Sequence, residues 1–90
     1  MADGPAKGYR SRTRITLDLM GCLREPCNVA GLLRGANLSH PRLKEYLADL
    51  QRQGWAEPCV GGWRLTQKGH AMRAELERVA RQMADYGLPL

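Results

Sequence analysis

The chain has 90 residues, 43% hydrophobic and 26% charged, a balance that fits a globular domain and excludes a disordered polar segment. Its net charge is +5, with eleven arginines against three lysines, which suits a polyanionic partner or else leaves a merely soluble basic surface. No apolar run approaches the roughly 20 residues of a membrane span, and the start lacks the apolar core of a signal peptide, so a cytoplasmic protein is expected.

Residues 1–9 are small, polar and glycine-rich with Lys7, and read as a flexible basic arm. The character changes at Arg10. Ile15, Leu19, Cys22 and Leu23 recur at helical spacing, and Leu17 and Met20 widen the apolar stripe. Ser11 or Thr13 can cap this first helix, and Pro26 is expected to end it at Glu25. A short second helix fits Val29 to Arg34, with Asn28 as its N-cap and Gly35 closing it in a left-handed conformation. The turn Gly35-Ala-Asn-Leu-Ser39 follows. Ser39 caps a third helix, where Pro41 is tolerated because first-turn amides have no intrahelical acceptor. Leu43, Leu47 and Leu50 form its inner side, and Gly54 stops it. Two helices joined across such a turn make a helix-turn-helix.

The period then changes. Trp55 to Val60 and Trp63 to Leu65 flank Gly61-Gly62, the pattern of a hairpin, with Pro58 confined to an edge because it lacks an amide donor. Thr66 caps a last helix from Gln67 to about Tyr86. Its apolar positions, Met72, Leu76, Val79, Met83 and Tyr86, step by four and three, an a/d seam suited to pairing with a second helix. From Leu76 onward this strip is expected to have no local partner, so Leu76, Val79, Met83 and Tyr86 are the expected homodimer contacts. The division is an arm over 1–9, a helical and hairpin domain over 10–72, and a dimerisation helix with its tail over 73–90. The fold class is mainly α with one small β-hairpin.

Three cysteines, Cys22, Cys27 and Cys59, cannot all pair within one chain, and no second Cys or His pair stands at zinc-binding spacing. Cys22 reads as a small hydrophobe of the first helix, whereas Cys59 beside a turn is open to oxidation. No phosphate loop, His-Glu-x-x-His helix or nucleophile with a base is present, so neither an enzyme nor a cofactor is expected.

Several local motifs converge on one family. Arg10-Ser-Arg-Thr-Arg-Ile opens the first helix, Ala36-Asn-Leu-Ser-His forms the turn, Leu43-Lys-Glu-Tyr-Leu and Gln53-Gly-Trp belong to the third helix and its exit, and Trp63-Arg-Leu-Thr-Gln-Lys-Gly leaves the hairpin. In this order they resemble the small archaeal winged helix-turn-helix DNA-binding proteins of about ten kilodaltons that pair through an antiparallel C-terminal coiled coil, within the broader MarR- and PadR-like winged-helix group. The resemblance covers residues 10–86 and departs from the family at the short loop Glu25-Pro26-Cys27.

The resemblance implies double-stranded DNA as partner, the third helix in the major groove and the wing on the backbone. Its exposed face is then expected to carry His40, Arg42, Glu45, Tyr46 and Asp49. Arg42 suits either a bidentate contact to guanine or a phosphate, and Ser39 either caps its helix or also touches DNA. His40 either donates to a phosphate or covers the turn. Arg10, Arg12, Arg14 and Arg64 are candidates for backbone phosphates, while Glu45 and Asp49 repel them. Trp55 reads as core, and Trp63 either packs on the first helix or stacks on a base. The role is that of a transcriptional regulator or of an architectural nucleoid protein. Alternatives are a protein-docking winged helix and a thiol-based redox regulator acting through Cys59. Any small-molecule effector is illegible in the sequence.

Overall fold

The computed structural model describes residues 10–90, so the arm expected over 1–9 lies outside the described residues. In chain order the elements are α1 (Arg12–Cys22), α2 (Val29–Ala36), α3 (His40–Arg52), β1 (Ala56–Cys59), β2 (Gly62–Leu65) and α4 (Gln67–Asp85). Four short polar side chains start the four helices. The Ser11 hydroxyl accepts from the Arg14 N–H at 3.0 Å, and the Asn28 side-chain oxygen accepts from the Gly31 N–H at 2.8 Å. Ser39 accepts from the Arg42 N–H at 3.4 Å, and Thr66 accepts from the Gly69 N–H at 3.0 Å. Each satisfies one orphan donor of a first turn, typically about 1 kcal/mol of stability.

Helix ends differ from expectation at two places. The first helix stops at Cys22 and not at Glu25: the Leu23 N–H reaches back to both Leu19 and Met20, and the chain turns away. Its reason lies downstream, where the Cys27 N–H donates to the Trp63 carbonyl at 3.0 Å and the Trp63 N–H donates to the Cys27 carbonyl at 2.9 Å. Cys27 thereby adds a bridge beside the hairpin, which a helix running to Glu25 would not leave room to make. The second helix continues through Gly35 to Ala36, and Asn37 (φ 54°) takes the left-handed position assigned to Gly35. Asparagine tolerates that conformation better than other side chains with a Cβ.

The hairpin pairs Ala56 with Leu65 and Cys59 with Gly62, so Val60 and Gly61 form its loop. Only Gly61 of these two has positive φ (89°), the sign pattern of a type II turn and not of the primed turn expected at Gly61-Gly62. Pro58 faces Trp63, whose carbonyl already accepts from the Cys27 N–H, so the missing proline donor costs no ladder bond.

The core draws Ile15, Leu19 and Met20 from α1, Leu23 from its C-cap, Leu32 and Ala36 from α2, and Leu43, Tyr46, Leu47 and Leu50 from α3, closed by Ala56 and Leu65 of the hairpin. A fully buried leucine in such a cluster contributes about 1.5–3 kcal/mol relative to exposure. Two sequence expectations change here. Tyr46, assigned to the exposed face of α3, is 2% exposed and belongs to the core. Leu76 does have a local partner, because Met72 and Leu76 of α4 pack against this cluster. Beyond them Val79 and Met83 are half-buried and Tyr86 is 82% exposed.

Candidate nucleic-acid interface

The third helix presents two strips to solvent. One carries Arg42, Glu45, Asp49 and Arg52, and the start of α1 closes over it. The Arg12 guanidinium donates to Asp49 at 3.1 Å and lies 5.0 Å from the centroid of the Tyr46 ring. The Arg42 guanidinium stands 5.9 Å from the same centroid, so two arginines from different helices share one buried aromatic ring. Asp49 also pairs with Arg52, one turn further along α3.

The other strip faces the wing. His40, Lys44 and Gln51 edge a groove of about 310 Å³ floored by Leu43 and Leu47 and closed by Val29 and Trp63. Trp63 therefore lines this groove beside α2 and α3 while also packing against the core cluster. Trp55 is half-buried against the core.

The expected backbone-contacting arginines are less free than their clustering in sequence implies. Arg10 donates to Asp18 and to the Asn37 carbonyl, both at 3.0 Å, and so braces the start of α1 against the turn before α3. Arg14 donates to the same Asp18 at 2.9 Å, one helical turn away. Arg64 pairs with Glu57 across the hairpin at 2.8 Å. Arg42 has no carboxylate partner among the described residues. Ser39 and His40 are exposed at the start of α3, and the Ser39 hydroxyl is used in the cap.

Sequence reasoning missed Asp18 and Arg52 and misread Tyr46. The Arg14–Asp18 and Asp49–Arg52 spacings are those of helical neighbours and were legible. Tyr46 stands three residues after Leu43 and four before Leu50, so the helical period already placed it inside. The pairing of Arg12 with Asp49 spans 37 residues and had no local signal.

A family profile described as winged helix-turn-helix matches residues 9–84. The chain belongs to that family. The helix-turn-helix is α2, the Asn37-Leu38-Ser39 turn and α3; the wing is β1–β2. Among solved structures this winged helix-turn-helix chain is similar to Sso10a-2, described as a DNA-binding protein from Sulfolobus solfataricus, with a TM-score of 0.76 and 18% identity over 86% of this chain and 85% of that one. At that identity the likeness shows the fold. No curated protein matches the chain. Among the described residues no helix is long and apolar enough to cross a membrane. Nor does any group of three His, Cys, Asp or Glu residues among them stand ready to hold a metal ion.

Proposed function

We propose that this winged helix-turn-helix protein binds double-stranded DNA as a homodimer, with the start of α3 in the major groove and the start of α1 and the wing on the backbone. The observation that carries the reading is the strip at the N-terminal half of α3, where Arg42 is exposed and unpaired among the described residues beside Arg12. Arginine there can bond guanine O6 and N7 together, while Ser39 and His40 at the helix start offer polar contacts to phosphate. The net charge of +5 and the DNA-binding description of the similar Sulfolobus protein support the same reading.

For the dimer, the supporting feature is the exposed end of α4. Val79, Met83 and Tyr86 continue the seam past Leu76, which is engaged locally, and a second copy of α4 would cover them. The biological role follows from selectivity: a regulator discriminates its operator from random duplex by about 10³ or more, whereas an architectural protein does not.

A salt titration by fluorescence anisotropy on random and candidate promoter duplexes tests the proposal. If a dimer neutralises about eight phosphates, log K falls with log salt at a slope near −7. An affinity that stays flat from low to moderate salt would sink it.

A further inference from the structure

We propose that Asp49 is an intramolecular gate on polyanion binding, a carboxylate that occupies Arg12 and Arg52 and must yield Arg12 before a phosphate can use it. The inference rests on the DNA reading for its biological meaning, but its chemistry concerns any polyanion. Each oxygen of Asp49 serves a different guanidinium: one accepts from Arg12 at 3.1 Å, the other from Arg52. Both arginines remain largely exposed, at 71% and 67% of their side-chain surface, so an external anion can approach them and compete with the carboxylate for Arg12. Arg42 shares the Tyr46 ring with Arg12, which puts a third guanidinium, free of any carboxylate among the described residues, on the strip offered to the ligand.

The competition follows from ordinary electrostatics. Exposed ion pairs of this kind contribute little to fold stability, because solvent screens them and two long side chains must be held still. They are therefore exchangeable, and a phosphate can replace the Asp49 carboxylate on Arg12. The displaced carboxylate stays nearby and repels the phosphate. Binding through Arg12 thus gains less than a free arginine would give, and fewer net charges are neutralised per contact. Ligands that also satisfy Arg42 tolerate this loss, whereas loose contacts on random polyanion do not. Asp18 is a different case: it binds Arg10 and Arg14 but is only 26% exposed, and Arg10 simultaneously ties to the Asn37 carbonyl, so that cluster braces the fold.

The test compares Asp49→Asn with Asp85→Asn, which makes the same charge change at the exposed end of α4. With the gate in place, Asp49→Asn tightens random-duplex binding about five- to tenfold at low salt and steepens the salt slope of the dimer by about two, one per subunit, while Asp85→Asn changes affinity by about twofold or less. Asp49→Asn should also elute from immobilised heparin at higher salt than Asp85→Asn. Equal shifts for the two variants on both ligands overturn the gate, as does weaker binding by Asp49→Asn, which would make the carboxylate an aligner of Arg12. Asp49→Ser provides a second neutral variant, and loss of the folded state in both would assign Asp49 a structural role and overturn the gate too. A wild-type chain that binds heparin but not duplex sinks the DNA reading, while the heparin comparison still decides the gate.

Discussion

Gly69 lies with its bare Cα directly against the backbone of Trp55. An ideal Cβ at Gly69 would overlap the Trp55 carbonyl oxygen and stand 2.8 Å from its carbonyl carbon. That carbonyl is also fixed from the other side of the junction, since it accepts from the Thr66 N–H at 2.9 Å. The first turn of α4 is thereby seated on the chain leaving α3, with the Thr66 hydroxyl donating to the Gly54 carbonyl at 2.6 Å.

Gly69→Ala therefore has a sign opposite to helix propensity. In an open helix the change would stabilise by about 1 kcal/mol. Here the added methyl meets backbone that cannot rotate away, and we expect a loss of about 2–3 kcal/mol. Urea unfolding followed by circular dichroism reads the difference; an unchanged or higher midpoint would show that α4 can lift off Trp55 at little cost.

Tyr46→Phe tests whether the core or the interface owns this side chain. The hydroxyl is buried without a hydrogen-bond partner among the described residues, so its removal relieves a desolvated polar group. Stability should stay level or rise by up to about 1 kcal/mol, and duplex affinity should change by less than about twofold, because the ring that carries Arg12 and Arg42 remains. A large loss of affinity would return the hydroxyl to the binding surface.

Arg42 and Arg10 should separate cleanly. Arg42→Ala is expected to cost about 1–3 kcal/mol per subunit on a preferred duplex if it reads a base, or to weaken all duplexes alike with the dimer's slope shallower by about two if it holds a phosphate in each subunit. Arg10→Ala removes a brace to Asp18 and Asn37 and should lower stability by about 1 kcal/mol with little change in slope. Thermal melts and salt titrations on both variants distinguish the two roles.

Cys22 should make the fold sensitive to alkaline pH. Burial, and after it the neighbouring Cys27 and Asp18, push its thiol above the ordinary range, opposed by Arg24. Below the unfolded thiol pKa both states keep the proton and nothing is lost. As pH rises past it, the unfolded chain releases the proton first, so stability falls until the folded-state value is reached, by at most about 1.4 kcal/mol per pH unit. Urea midpoints at pH 7.5 and 9.5 should drop more for wild type than for Cys22→Ser. Equal drops would mean the thiol titrates alike in both states.

The dimer seam is best probed beyond Leu76, since cutting the chain there would also strip a residue from the core. A Val79→Asp, Met83→Asp double variant places charge on the expected seam. Sedimentation velocity should show the wild type as a dimer and the double variant as a monomer that keeps its helical signal. A double variant that still dimerises would move the interface elsewhere.

The sequence alone determined the four helices, the N-caps of the last three and the hairpin, because these rest on interactions within a few residues. Ser11, Asn28, Ser39 and Thr66 reach donors three residues ahead, and a 3.6-residue period marks Leu43, Leu47 and Leu50 wherever the helix lies. The same period places Tyr46 inside, three residues after Leu43 and four before Leu50. What only the tertiary structure decided are relationships between distant segments: Cys27 bonding to Trp63, Leu76 returning to the core, and Arg12 meeting Asp49. No local preference encodes these, since each depends on how helices pack and which charges that packing brings within about 4 Å. Net charge announced a surface for polyanions; the fold set which arginines on it are already engaged by carboxylates.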